Sequence, residues 1–101
     1  MSITEVQMEA SIVSEFNDRG YVAFYPTTDK TYCFVKQLKN AETKRIFITR
    51  LKNRIKLTVD LYSSKGIVDV ELDPEEELLI DELAFDVWEV KDIIVEPHQT
   101  S

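Results

Sequence analysis

Two carboxylates and a lysine with the spacing of a hydrolytic metal site lie in the stretch "DVWEVKD", residues 86–92. Asp86 and Glu89 carry oxygen ligands of the kind that a divalent cation prefers, and Lys91 follows Glu89 by two positions. A cation held in this way activates a water molecule, which a neighbouring lysine can polarise for attack. The spacing therefore indicates metal-dependent hydrolysis as one candidate chemistry.

This stretch resembles the metal-binding strand of the PD-(D/E)xK nuclease family, in which an Asp and a Glu-x-Lys hold the cation. The resemblance covers seven residues and implies that the carboxylates ligate the metal while Lys91 acts on the water. The context departs from that family, because a helix should follow Glu-x-Lys and only ten residues follow Lys91. The alternative is that Glu89 and Lys91 flank Val90 on an element that packs through Val87 and Ile93. A nuclease is therefore the third hypothesis, behind two binding functions.

A β-hairpin is predicted around the turn "SSKG", residues 63–66. Apolar and polar residues alternate on both sides of this turn, as they do in strands with one buried face. One register places Tyr62 opposite Ile67 and Leu61 opposite Val68, and it brings all the apolar pairs onto a single face. This agreement favours that register over its neighbours.

The same register sets a second group of carboxylates on the outward face of the hairpin. Asp60 lies opposite Asp69, with Glu71 two residues further on. Carboxylates that face each other across a ladder destabilise it unless a cation or a base lies close by. A Mg²⁺ or Ca²⁺ site is one interpretation. We favour a solvated sheet face relieved by Lys56 or Lys65, and we predict no metal site.

Groups for nucleophilic or acid–base catalysis are scarce. His98 is the only histidine, and it lies in a polar tail beyond Pro97. Cys33 is the only cysteine and is expected to be a small buried hydrophobe in a strand. Two glycines cannot form a glycine-rich phosphate loop. We therefore predict a non-enzymatic protein without catalytic residues or a cofactor, and the single cysteine and the short apolar runs indicate a soluble cytoplasmic protein.

Charge is distributed unevenly along the chain, which has a net charge of −7. Residues 36–65 carry nine bases and two acids, whereas residues 66–101 carry one base and twelve acids. Six bases follow a predicted hairpin, where they would contact phosphates: Lys44, Arg45, Arg50, Lys52, Arg54 and Lys56. The acidic pI of about 4.6 disfavours nucleic-acid binding, which is the second hypothesis. The alternative is that this hairpin faces the acidic segment, within the molecule or in a dimer.

An acidic amphipathic helix is predicted from Asp73 onward. Asp73 suits the N-cap, Pro74 suits the first helical position, and the acids that follow complement the helix dipole. The predicted buried stripe consists of Leu79, Ile80, Leu83, Ala84 and Val87. Three large apolar residues lie off this stripe: Leu78, Phe85 and Trp88.

A second apolar strip on a small domain indicates a partner surface, since aromatic residues are favoured interface anchors. Leu78, Phe85 and Trp88 are the predicted anchors. The predicted charged surround is Glu75, Glu76, Glu77, Asp81 and Glu82. The first hypothesis is thus a regulatory or binding module that contacts a protein partner, either a basic protein or a second copy. Core packing on both sides of the helix is the alternative.

These residues require a helix, several strands and a second helix to position them. Residues 4–18 have helical periodicity, and strand patterns recur between residues 21 and 72. Residues 86–96 fit either a helix or a strand. We predict a single domain over residues 1–96 and a polar tail over residues 97–101. The fold class is α+β: an N-terminal helix, an antiparallel β-meander of about five strands, and an acidic C-terminal helix packed on one sheet face.

Overall fold

The structure, a computed structural model, describes residues 3–24 and 31–97, with side chains described from residue 10 onward. Two helices and a six-stranded sheet confirm the α+β class. The elements are α1 (Ile3–Asp18), β1 (Val22–Phe24), β2 (Thr31–Gln37), a 3₁₀ turn (Lys39–Ala41), β3 (Thr43–Arg50), β4 (Arg54–Ser63), β5 (Gly66–Asp69), α2 (Pro74–Asp81), a π-helical segment (Glu82–Val87) and β6 (Asp92–Val95). Of the predicted polar tail, Pro97 alone is among the described residues; His98 lies outside them.

The sheet is mixed, because its last strand runs parallel to its neighbour. β1 to β5 form an antiparallel meander in which each strand pairs with the next. β5 pairs with residues 60–63 of β4, and β6 pairs in parallel with residues 54–57, so both short strands share one edge of β4. The predicted five-stranded antiparallel sheet is corrected to six strands. A strand that returns through a helical connection can run parallel, and its own sequence does not reveal this.

The β4–β5 hairpin has the predicted register. Leu61 lies opposite Val68 and Tyr62 lies opposite Ile67. Gly66 has a φ of 117°, a conformation that side chains rarely adopt, and it closes the turn. Alternation of apolar residues on the two strands was therefore sufficient to identify the pairing.

Both helical segments cover one face of the sheet, called here the inner face. The inner face contributes six buried residues: Phe34, Ile46, Ile48, Ile55, Leu57 and Val59. From α1, Ile12 and Phe16 pack against them, and the Phe16 ring stacks on Phe34 with 4.6 Å between centroids. The C-terminal helical residues in this core are Ile80, Leu83, Ala84 and Trp88. The opposite side, called the outer face, carries the alternate residues of the same strands.

α2 begins at the predicted N-cap, Asp73, which forms a capping box with Glu76. The Asp73 carboxylate accepts a hydrogen bond from the Glu76 N–H at 2.9 Å. The Glu76 carboxylate in turn accepts one from the Asp73 N–H at 3.2 Å, and Pro74 occupies the start of the helix. This reciprocal arrangement satisfies two donors at the N-terminus, which explains why the helix starts here.

The helix changes geometry before it ends. Beyond Asp81 it continues as the π-helical segment, and the Trp88 N–H donates to the Leu83 carbonyl five residues earlier at 3.0 Å. Glu89 then adopts a φ of 53° and redirects the chain towards β6. The sequence left residues 86–96 open between helix and strand. They contain the end of the π-helical segment and the whole of β6.

Candidate functional site

A groove lies between α2 and the edge of β4 shared by β5 and β6. Its volume is about 410 Å³. The floor is apolar, formed by inner-face and helix residues that include Leu57, Val59, Ile80 and Ile93. The groove exists because β5 ends at Asp69 and β6 approaches β4 from the other end, so that neither short strand fills the space beneath α2.

Three carboxylates surround this apolar floor. Glu71 precedes α2, while Glu77 and Asp81 lie one helical turn apart on α2 and face the same groove. No base is among the described residues that line it. A shallower depression beside the groove adds Pro74 and Leu78 to the same acids. Together the two concavities form an acidic, apolar surface, called here the α2 groove.

The predicted anchors of the partner surface separate in the structure. Leu78 is 70% exposed and lies in the α2 groove, as an anchor should. Phe85 is also exposed but lines neither concavity. The placement of Trp88 on this surface was wrong, because the residue is 7% exposed and belongs to the core. The π-helical segment shifts the phase of the helix, so that the Trp88 ring packs 5.3 Å from Tyr32 on the inner face.

Of the five predicted acids around the anchors, Glu76 was also misplaced. It is buried, and its carboxylate accepts hydrogen bonds from Lys44 Nζ at 2.7 Å and from the Tyr21 hydroxyl. Burial first, and then the bond to Glu76, raise the pKa of the Tyr21 phenol above its ordinary value. The Glu76 site therefore joins α2 to the sheet and is not available to a partner.

The remaining acids stay at the surface. Glu75 is exposed and forms an ion pair with Arg19 at 3.2 Å. Glu77 and Asp81 line the α2 groove, whereas Glu82 is exposed outside it. The sequence missed Glu71 and Val95, which complete the groove. The alternation of residues 67–72 predicted Glu71 on the outward face of the hairpin, which was wrong because β5 ends at Asp69 and Glu71 lines the groove instead. Residues 86–96 were left open between helix and strand, and the pairing that brings Val95 to β4 was not predicted.

The predicted basic hairpin is divided by its own ion pairs. Lys44 points to the inner face and pairs with Glu76. Arg45, the next residue, points to the outer face and holds Asp60 through two hydrogen bonds of 2.8 and 3.0 Å. These two bases are already used inside the molecule, which corrects the prediction that all six bases form one cationic surface.

At the other end of the hairpin, four bases remain near the turn. The Arg50 guanidinium lies 4.9 Å from the Trp88 ring centroid, and Lys56 lies 3.6 Å from a Glu96 carboxylate oxygen. Lys52 and Arg54 are exposed. The structure thus brings two exposed bases together at the tip, with Arg50 and Lys56 occupied on either side.

The prediction of a carboxylate pair on the outward face was correct in register and wrong in exposure. Asp60 lies opposite Asp69 in the predicted register, but Asp60 is completely buried and is not on a solvated face. Arg45 neutralises it, not Lys56 or Lys65. Among the described residues, no three acidic, histidine or cysteine side chains are grouped as a metal site would require.

The "DVWEVKD" residues do not share a strand. Asp86 belongs to the π-helical segment, Glu89 lies at the left-handed turn after it, and Lys91 precedes β6. All three are exposed, while Val90 between them is buried. This arrangement differs from the strand that the nuclease resemblance implies.

Cys33 is half-buried on the outer face, where burial raises the pKa of its thiol. A protonated, partly covered thiol is a poor nucleophile. No helix of the described residues is long and apolar enough to cross a membrane. The chain matches no family model, no curated protein and no solved structure.

Proposed function

We propose that the protein is a non-enzymatic binding module whose α2 groove holds a short basic segment of a protein partner. The observation that supports this is the combination of an apolar floor with three carboxylates and no base among its described lining residues. A segment with lysine or arginine next to an aliphatic side chain matches both properties. The single cysteine of the chain is consistent with action in a reducing compartment such as the cytoplasm.

The two parts of the groove have different roles in this proposal. The floor supplies affinity, because burying one leucine-sized side chain contributes roughly 1.5–3 kcal/mol. The carboxylates supply selection and a faster encounter, since exposed charges contribute more to specificity and association rate than to affinity. A ligand with both features binds more tightly than a purely basic or a purely apolar peptide.

The test uses a fluorescein-labelled peptide of alternating leucine and lysine, titrated with the whole chain and followed by anisotropy. Replacing Glu77 by Gln together with Asp81 by Asn should weaken binding about tenfold, the loss expected for two partly screened charge contacts. Val95→Trp should block the groove, since Val95 is an exposed part of its lining.

Two controls make this test specific. Glu82→Gln removes an exposed acid of the same helical region that does not line the groove, and it should leave the affinity unchanged. A peptide with serine in place of leucine should bind weakly to every variant. Equal losses in the groove variants and in Glu82→Gln would overturn the proposal, as would failure of the leucine–lysine peptide to bind.

Nucleic-acid binding is the second candidate, supported by the exposed Lys52 and Arg54 at the β3–β4 tip. Two exposed bases on a chain of net charge −7 give weak, strongly salt-dependent binding. The measurement is anisotropy with labelled single- and double-stranded oligonucleotides at two salt concentrations, with the recovered strands run on a gel. Lys52→Glu with Arg54→Glu should abolish any binding that this tip supports.

A further inference from the structure

The outer face of the sheet is an open apolar surface. Within the described residues, the helical elements pack on the inner face and none covers the outer one. Val22, Phe24 and Tyr62 are each more than half exposed there. Half-buried apolar side chains share this face with threonines and Lys56: Cys33, Val35, Phe47, Ile67 and Ile94 are the apolar ones, and Thr31, Thr43, Thr49 and Thr58 are the threonines. An open sheet face of this composition on a small protein indicates an interface.

The Arg45–Asp60 ion pair lies within this face, and the exposed Asp69 lies opposite Asp60 at the β5 edge. Arg45 and Asp60 neutralise each other through their two hydrogen bonds, and Asp60 is completely buried. The Arg45 guanidinium lies 5.1 Å from the Phe47 ring centroid and 5.2 Å from that of Tyr62. The cation is therefore paired and flanked by aromatic rings before any partner arrives, so covering it requires little further desolvation.

The size of the face suits a protein partner. β3 has eight residues, which at about 3.3 Å each extend about 26 Å. Five neighbouring strands are separated by four spacings of about 4.8 Å, a width of about 19 Å, which gives a flat footprint of about 500 Å². The smaller stable protein interfaces bury about 600 Å² of accessible surface on each partner, and accessible surface exceeds the flat area beneath the side chains, so the face is large enough for an interface at the low end of this range.

We propose that a second copy of this chain occupies the outer face, so that the two sheets pack face to face as a sandwich about 10 Å apart. The argument is electrostatic. Copies that each carry a net charge of −7 repel one another, and the repulsion is weakest where charged side chains are few and paired, as Arg45 is with Asp60 and Lys56 is with Glu96 on this face. A basic protein or a nucleic acid gains nothing from such a surface, whereas a self-complementary apolar face is what a two-fold dimer needs.

The pairing would leave both α2 grooves free. They lie on the helical side of each sheet, opposite the outer face, so a dimer presents two grooves that point away from each other. This inference does not depend on the proposed ligand of the groove. Either can fail while the other holds, because the two surfaces are altered by different substitutions.

The test is sedimentation equilibrium of the whole chain from about 1 μM to about 500 μM. The expected result is a concentration-dependent rise from the monomer mass of 11.7 kDa to twice that value. Val22→Asp and Tyr62→Asp should each weaken dimerisation at least about tenfold, as expected when a charge is buried in an interface. Val68→Asp is the matched control: its side chain is 63% exposed against 59% for Val22, but it lies on the inner side of β5.

The natural cysteine gives a second readout that needs no variant. Cys33 lies within the outer face, so its alkylation by N-ethylmaleimide should slow severalfold as the protein concentration rises through the dimer transition. Three results would overturn the proposal: a monomer at every concentration, a dimer that Val68→Asp weakens as much as Val22→Asp does, or a monomer whose outer face binds oligouridine in a Val22-dependent manner.

Discussion

Two consecutive residues of β3, Lys44 and Arg45, each bind a buried carboxylate, but the two ion pairs connect different parts of the chain. Lys44 reaches to the inner face and binds Glu76, whose carboxylate also accepts hydrogen bonds from the Tyr21 hydroxyl and from the N–H of Asp73, the N-cap of α2. Arg45 reaches to the outer face and binds Asp60 on the adjacent strand. The first site ties together three parts of the chain, whereas the second ties together one hairpin.

The difference shows that a buried ion pair can either fix tertiary structure or merely stabilise a strand pair. Glu76 is separated from Lys44 by 32 residues and from Tyr21 by 55, whereas Asp60 is separated from Arg45 by 15. Loss of Glu76 should release the helix from the sheet. Loss of Asp60 should leave all elements in place, since the hydrogen bonds of the β3–β4 ladder remain.

Glu76→Ala should have the largest effect, a loss of about 3 kcal/mol in the free energy of unfolding. It leaves the Lys44 ammonium and the Tyr21 hydroxyl without their acceptor and breaks the capping box. Urea denaturation followed by circular dichroism measures it. Glu75→Ala, at the exposed neighbouring position, should change stability by less than about 0.5 kcal/mol. Similar losses in both variants would contradict the difference between the sites.

Asp60→Ala should cost less, about 2 kcal/mol, although its carboxylate is the more deeply buried of the two. The Arg45 side chain is 23% exposed, so its guanidinium can turn towards water after the carboxylate is lost. The double variant Asp60→Leu with Arg45→Met should recover most of the loss, because an apolar pair can replace a buried ion pair. If Asp60→Ala loses more free energy of unfolding than Glu76→Ala in the same denaturation experiment, the ranking of the two sites is wrong.

The Tyr21 hydroxyl allows the Glu76 site to be tested by pH. Because burial and Glu76 raise the pKa of this phenol, the folded state holds its proton at pH values where the unfolded chain has released it. Stability should therefore be fully present below about pH 10, the ordinary pKa of tyrosine, and fall as the pH rises above it. Tyr21→Phe should lose about 1 kcal/mol at pH 7 and show a shallower fall above pH 10.

Cys33 is a second group that titrates in this pH series, because burial also raises the pKa of its thiol. Since the folded state holds this proton more tightly than the unfolded chain does, the contribution of Cys33 to stability is lost as the pH rises above about 9, a lower pH than for Tyr21. The series is therefore measured in a Cys33→Ala background. If the stability of the Tyr21→Phe protein then falls as steeply above pH 10 as that of the protein that keeps Tyr21, the Tyr21 phenol has no part in the pH response.

The smallest effect belongs to the opposite end of the same hairpin. Lys52→Glu with Arg54→Glu should change stability by less than about 0.5 kcal/mol, since both side chains are exposed. Urea denaturation at low and high salt checks this. A loss above 1 kcal/mol would show that bases at the tip are as structural as Lys44 and Arg45 are.

Local signals predicted much of this architecture. Three predicted features depend on residues close in sequence, and all three are present: the N-cap at Asp73, the register around Gly66 and the buried stripe through Ile80. The β6 pairing could not be predicted from its few residues, because a parallel partner is chosen by the path of the intervening helix.

The candidate site was harder to predict than the fold, for a physical reason. Glu76 and Trp88 have the sequence neighbours of surface residues, and both were placed on a partner surface. Glu76 is buried because Lys44 and Tyr21 meet it from distant parts of the chain, and Trp88 is buried because a π-helical turn shifts its phase. Leu78 is exposed, as its position off the buried stripe predicts, and its role as an anchor stays a prediction.

The divided edge of β4 has a consequence for the order of folding. The contacts among β2, β3 and β4 are local hairpins and can close early, while β6 can add to β4 only after α2 and the π-helical segment have docked. Until then, residues 54–57 present unpaired backbone groups beside exposed aliphatic side chains, a template for pairing with another unfinished chain. The slowest step in folding would therefore also be the one that removes the molecule's most aggregation-prone edge.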